Sequence, residues 1–214
     1  MPRVWVKICG ITTVDDALGC VDAGADAVGV NLVESSVRCV DEARAREISR
    51  AVGTRAEVVG IVANLGAEAM RTLRDRAELS LLQLHGAESP EALLDVLPGA
   101  YKAIRVGTRA DVADAARFAG ARLLVDAKVT GALGGTGTTF DWSLVKGLAA
   151  ERRVVLAGGL TPHNVEAAVR AVNPYGVDTA SGVERPGAPR AKDLDRVRAF
   201  VSRAQSAGRD QPRS

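Results

Sequence analysis

Aromatic side chains are almost missing from this chain: Phe, Trp and Tyr make up 3% of its 214 residues. That scarcity excludes an aromatic platform for nucleic acid and suits wound α/β layers better than a β-sandwich. Cysteine is equally sparse. Cys9, Cys20 and Cys39 are odd in number and irregularly spaced, which argues against a disulfide scaffold and for a reducing compartment, with the cytoplasm as default. The two histidines, His85 and His163, lie far apart and no CxxC pair occurs, so the residues point away from a metal. Neither sign of charge dominates. The formal net charge of +2 implies no pull towards nucleic acid or a membrane surface. No apolar run is long enough to cross a bilayer, and the N-terminus runs into a strand with no leader pattern before it.

What the chain has instead is Ala, Val, Leu and Gly, with 47% hydrophobic residues and enough length for one domain with a sizeable core. One pattern repeats: a short Val/Ile/Leu run, a turn bearing Gly or Asp, then an Ala-rich amphipathic stretch. Strands are expected at Val4–Ile8, Ala27–Asn31, Glu57–Val62, Leu81–Leu84, Tyr101–Arg105, Leu123–Val125, Val154–Ala157 and Gly176–Asp178. Helices are expected at Thr13–Ala23, Asp41–Val52, Ala67–Ala77, Pro90–Leu97, Ala110–Ala119, Ser143–Ala149, Asn164–Val172 and Leu194–Ala204, with Thr12 or Thr13 and Ser89 as N-caps. Eight alternating units imply an α/β fold, a single-domain (β/α)8 TIM barrel over 1–204, followed by a polar tail over Gln205–Ser214. An open doubly wound sheet is the alternative if one strand is overcounted, Leu81–Leu84 and Leu123–Val125 being the weakest.

A barrel gathers the carboxyl ends of its strands at one mouth. In order, those ends carry Cys9, Asn31, Asn64, His85, Arg105, Asp126, Gly158-Gly159 and Ser181-Gly182. Taken singly, Cys9 reads as a small buried residue and Asp126 as a cap. Chemistry-capable residues recurring at strand ends argue otherwise. Gly158 and Gly159, followed by Thr161-Pro162 opening a helix, and the small residues Ala180, Ser181 and Gly182 after the eighth strand, form the pair of loops that bind phosphate in such barrels. The loop Gly131–Gly137 reads as a lid or an extra phosphate contact.

Several of these segments together resemble the phosphoribosylanthranilate isomerase family. They are Lys7-Ile8-Cys9-Gly10-Ile11-Thr12; Gln83-Leu84-His85-Gly86; Leu124-Val125-Asp126; Gly134-Gly135-Thr136-Gly137 with Phe140-Asp141-Trp142; Leu156-Ala157-Gly158-Gly159-Leu160 with Asn164-Val165; and Asp178 through Ser181-Gly182-Val183-Glu184 with Pro186-Gly187. The resemblance runs from Val4 to about Phe200. It implies a (β/α)8 barrel that needs no cofactor and performs an Amadori rearrangement on an aminoaldose phosphate. It also implies Cys9 as general base and Asp126 as general acid. For those roles the thiol pKa should fall, helped by a helix N-terminus, Lys7 or Arg38, and the carboxyl pKa should rise. By the same resemblance Arg38 holds the anthranilate carboxylate, Gln83 and His85 line the mouth near the aromatic ring, and Asp178 and Glu184 lie near the phosphate loops.

The segment Asn31–Arg38 departs from the family pattern. It keeps the arginine but lacks the usual aromatics, lysine and proline, and it adds Glu34. Ala180 stands where a serine is usual. A sibling isomerase acting on another aminoaldose 5-phosphate and a non-catalytic phosphosugar-binding barrel are therefore the alternatives. A histidine-pathway isomerase fits less well, because its first strand would end in aspartate. The partner expected is a small phosphosugar, with no nucleic acid and no membrane, and a monomer is favoured over a dimer.

Overall fold

The structure is a computed structural model and describes residues 3–127 and 142–209. Eight strands alternate with eight helices: β1 Trp5–Cys9, α1 Val14–Asp22, β2 Ala27–Asn31, α2 Glu42–Val52, β3 Glu57–Val62, α3 Ala67–Arg76, β4 Leu81–Leu84, α4 Pro90–Leu94, β5 Ala100–Val106, α5 Arg109–Ala115, β6 Arg122–Ala127, α6 Ser143–Glu151, β7 Arg153–Ala157, α7 Val165–Val172, β8 Gly176–Thr179 and α8 Leu194–Arg209. The strands are parallel and close in chain order, β8 returning to β1 with Lys7 opposite Asp178 and Ile8 opposite Thr179. This is the expected (β/α)8 barrel, and the open-sheet alternative falls with the β1–β8 pairing.

Strand periodicity sorts the side chains. Val4, Val6 and Ile8 pack outward against the helices, in one core cluster with Ala17, Ile48, Val169 and Phe200. Trp5 belongs to a second cluster inside the barrel, with Ala27, Val59, Tyr101, Leu124 and Val155. Because alternate residues face opposite sides of a strand, Lys7 and Cys9 share the inward face with Trp5. Three aromatics, Trp5, Tyr101 and Tyr175, gather at the N-terminal end of the barrel. There the Arg122 guanidinium lies 4.6 Å from the Trp5 ring and 5.6 Å from both Tyr101 and Tyr175 while pairing with Glu57. That stack plugs the floor and leaves the opposite end open.

The helix starts follow local chemistry. Thr13 accepts a hydrogen bond from Asp16 N, Asp41 from Arg44 N, and Ser89 from Ala92 N with Pro90 just inside the helix. Thr108 and Asp111 form a reciprocal capping box. Some boundaries differ from those expected. α4 stops at Leu94 rather than Leu97, and the chain continues through turns to Pro98. Thr161-Pro162 forms a turn, and α7 begins only at Val165. The stretch after β8 holds a short turn, Ser181–Val183, and a hairpin, β9 Glu184–Arg185 with β10 Ala188–Lys192, that the sequence reading did not contain. At the C-terminus, 205–209 continue α8 instead of starting the expected polar tail. Ala204 and Ala207 are fully buried three residues apart and so hold this turn on the barrel. The remainder of that tail and the Gly-rich loop Gly131–Gly137, with Phe140 and Asp141, lie outside the described residues.

Candidate active site

A cavity of about 630 Å³ opens at the carboxyl ends of the strands. Cys9, Arg38, Gln83, His85, Asp126, Asp178, Gly158, Gly159, Ala180 and Ser181 all line it, joined by Asn31, Asn64, Arg105 and Thr179. Gly182 sits behind the lining. A Cβ there would overlap the Leu160 carbonyl oxygen, so its lack of a side chain lets the β7 and β8 loops touch.

Cys9 ends β1 on the inward face, opposite Gly29 of β2. A Cβ on Gly29 would lie 2.9 Å from the Cys9 sulfur, so the glycine makes the room that the thiol occupies. Burial pushes the thiol pKa up, and the opposing pull of Lys7 and Lys192 does not cancel it. This reverses the expected lowering: withdrawal from water outweighs the nearby cations. At the end of β6 burial likewise pushes the Asp126 carboxyl up, with Asp178 adding to it, against His85 and Arg105. A carboxyl held towards its protonated form is what an acid needs.

His85 is held by a relay. The Tyr101 hydroxyl donates to Gln83 Oε1 at 3.0 Å, and Gln83 Nε2 lies 3.1 Å from His85 Nδ1. With the amide oriented by Tyr101, its NH₂ faces Nδ1, which makes that nitrogen the acceptor and leaves Nε2 to carry the proton. Burial lowers the His85 pKa, keeping the ring neutral, although Asp126 pulls the other way. Below it, Glu88 ties the β3 and β4 ends together. It accepts from Asn64 N at 2.7 Å, Gly86 N at 3.0 Å and Lys102 Nζ at 3.0 Å.

Arg38 crosses from the loop after β2 to the new hairpin. Its Nε and Nη2 bond the two oxygens of Glu184 at 2.6 and 2.7 Å. Lys192, fully buried, joins the same carboxylate at 3.2 Å and donates to the Ala180 carbonyl at 3.1 Å. Burial alone would raise the Glu184 pKa; Arg38 and Lys192 together hold it below the usual carboxylate range. Thus one chain of charges runs from Arg38 to the loop after β8. At that end Gly158 (φ +94°) and Gly159 (φ +64°) take backbone conformations that L-residues rarely adopt. Asn164 fixes the turn, accepting from Thr161 N at 2.7 Å and donating to Gly159 O at 3.1 Å. Thr179 Oγ1 donates to Leu160 O at 2.7 Å and locks the two loops together.

Sequence reasoning passed over the roles of Thr179 and Lys192. Thr179 continues the strand pattern of β8 and was within reach of it. Lys192 lies in a polar stretch with no periodicity to flag it. Among the described residues no group of three or more His, Cys, Asp or Glu is placed to hold a metal ion, and no helix is long and apolar enough to cross a membrane.

A closed parallel barrel with a raised carboxyl and a cysteine at its carboxyl-end mouth defines a (β/α)8-barrel enzyme equipped for proton transfer. A family model described as N-(5'phosphoribosyl)anthranilate (PRA) isomerase matches residues 6–203. N-(5'-phosphoribosyl)anthranilate isomerase of Pseudomonas aeruginosa is 45% identical over 213 residues, 99% of this chain and 100% of the relative. That of Pelobacter propionicus is 41% identical over 198 residues, 92% and 94% of the two chains. The crystal structure of phosphoribosyl anthranilate isomerase from Thermotoga maritima superposes with a TM-score of 0.86 at 37% identity, covering 95% of this chain and 99% of that one. A structure of the isomerase in complex with reduced 1-(o-carboxyphenylamino)-1-deoxyribulose 5-phosphate gives 0.83 at 35% identity, again covering 95% and 99%. The chain belongs to the N-(5'-phosphoribosyl)anthranilate isomerase family. It is an isomerase of tryptophan biosynthesis, interconverting an aldose and a ketose. The departures in Asn31–Arg38 do not move it out of the family, and the sibling and non-catalytic alternatives are not favoured.

Proposed function

We propose that this mouth carries out the isomerisation of N-(5-phosphoribosyl)anthranilate with Asp126 as acid and Cys9 as base. Asp126 gives its proton to the furanose ring oxygen as the bond from that oxygen to C1 breaks, leaving the open-chain Schiff base. The Cys9 thiolate then takes the proton from C2. The resulting enolamine tautomerises to the 1-amino-1-deoxyketose, C1 gaining a proton as the C2 hydroxyl loses one. Proton count is unchanged across the reaction. The observation that carries the assignment is the shared cavity, in which Asp126 is pushed by burial towards the protonated form that an acid requires.

The remaining roles follow the lining. Gly158, Gly159, Ala180 and Ser181 receive the phosphate, with Gly182 holding their loops in contact. Arg38 meets the anthranilate carboxylate. Since Glu184 occupies the Nε–Nη2 edge, the approach is through Nη1 and the remaining N–H of Nη2. Gln83 and His85 flank the aromatic ring and Asp178 faces the sugar. The phosphosugar is met by a cytoplasmic monomer: the three cysteines are free, and the large exposed apolar residues among those described, Val37, Leu65 and Leu94, lie on three separate segments.

The test is a fluorescence assay in which phosphoribosylanthranilate is generated in situ and loss of its anthranilate-type emission is followed. Asp126→Asn and Cys9→Ser are each expected to lower kcat by about 10²–10⁴-fold with folding intact. Turnover unchanged in either variant overturns that residue's role.

A further inference from the structure

Lys7 is a buried cation that the steps above leave unused. It lies two residues before Cys9 on the same inward face of β1 and is 0% exposed. Its Nζ is 2.9 Å from Asp178 Oδ2, directly across the β1–β8 register, an ion pair rather than a well-aligned hydrogen bond, while the other oxygen, Asp178 Oδ1, is buried with no hydrogen-bond partner among the described residues. Burying a lysine costs solvation that a methionine or leucine of similar volume would not incur, so packing alone does not account for it. Nor is the charge discarded. Burial pulls the Lys7 pKa down, but Asp178, Cys9 and Tyr101 pull it further up, and the ammonium stays protonated.

The groups facing Cys9 come from several elements. Lys7 stands below it on β1, Asp178 beside Lys7 on β8, Tyr101 deeper on β5, Lys192 on β10 and Arg38 on the loop after β2. Two of the three cations are already committed: Arg38 to both oxygens of Glu184, and Lys192 to Glu184 and the Ala180 carbonyl. Lys7 is ion-paired with one carboxylate oxygen and its Nζ makes no well-aligned hydrogen bond among the described residues. We propose that Lys7 is a positioning residue for the reaction, a fixed positive charge on β1 beneath Cys9 whose role is to stabilise the Cys9 thiolate, with Asp178 setting how much of that charge the sulfur feels. This rests on Cys9 being the base. Of the pulls on the thiol towards ionisation, that of Lys7 is the largest; Asp178 opposes it and Lys192 adds to it.

The experiment reads the thiol directly. The full-length protein is alkylated with iodoacetamide across a pH series, and modification of Cys9 is followed by peptide mass spectrometry. Lys7→Met is expected to move the Cys9 profile up by about one pH unit or more, a tenfold loss of thiolate at fixed pH. Its kcat should fall in step while KM stays near the wild-type value. Lys7→Arg keeps the charge and should restore most of the profile. Asp178→Asn should move the profile down instead, because it removes the carboxylate that opposes ionisation. A folded Lys7→Met protein with the wild-type Cys9 profile overturns the proposal. If Lys7→Met does not fold, an Asp178→Asn profile that fails to move down overturns it. Turnover retained by Cys9→Ser would overturn the base assignment and with it the catalytic role of Lys7, whereas unmoved alkylation profiles overturn the Lys7 proposal and leave the base assignment standing.

Discussion

Replacing Gly182 by alanine probes whether the two loops after β7 and β8 work only in contact. Gly182 sits in the turn Ser181–Val183 outside the left-handed region, so alanine brings no backbone strain of its own. What the position lacks is room. An added Cβ would overlap the Leu160 carbonyl oxygen, lie 3.0 Å from its carbon and come within 2.7 Å of Thr179 Oγ1. These obstacles are backbone and a buried hydroxyl rather than the free end of a long side chain, so the loops must part. Parting them breaks the 2.7 Å bond from Thr179 Oγ1 to Leu160 O. Leaving such buried groups unpaired costs about 1–3 kcal/mol, and overpacking adds about 1–3 kcal/mol. The Gly182→Ala protein should therefore lose about 2–6 kcal/mol of unfolding free energy in a urea titration. Its KM should rise several-fold with a smaller change in kcat, because Cys9 and Asp126 belong to other strands. A stability within about 0.5 kcal/mol of wild type together with an unchanged KM would refute the reasoning.

Two further expectations concern charge. Glu184→Gln should raise KM about tenfold, equivalent to about 1.4 kcal/mol of binding, because Arg38 loses the carboxylate that orients it and Lys192 loses its counter-charge; steady-state kinetics showing the same or a lower KM would mean that Arg38 is placed by something else. The pH profile of kcat/KM should be a bell, since the reactive form holds one proton between a thiolate and a protonated carboxyl. Raised values for both groups put its acid limb above the ordinary Asp value of 3.8 and its alkaline limb above the ordinary Cys value of 9.0. Activity is lost below the first limb as both groups are protonated and above the second as both are ionised. An alkaline limb near neutrality in a pH-jump series would contradict the upward displacement of Cys9.

Much of the site was legible because strands alternate strictly. Once Cys9, Asn31, His85, Arg105 and Asp126 are recognised as strand-end residues, the barrel brings them to one opening without further information. The glycine pair 158–159 was legible for a related reason, since positive φ is a local requirement that selects glycine. The hairpin β9–β10 was not. Its strands are two and five residues long, too short for a periodic signal, and one of its ladder positions is irregular. With it went the partner of Arg38, which lies 146 residues away in the chain. The expected tail failed on a small detail: buried Ala204 and Ala207 extend a helix face with no large apolar residue to announce it.

The class of fold, the residues offered at the mouth and the family are written in the chain, since they follow from periodicity and from ordered local motifs. Which side chains meet is a matter of the folded barrel: Lys7 with Asp178 and Arg38 and Lys192 with Glu184 as ion pairs, and Tyr101 with Gln83 and His85 as a hydrogen-bond relay. The folded barrel also decided the direction in which the Cys9 thiol moves, up rather than down. The physical reason is range. Backbone preference and side-chain alternation are set by neighbours along the chain, whereas a pKa is set by the water that packing removes and by charges that closure of the barrel brings together.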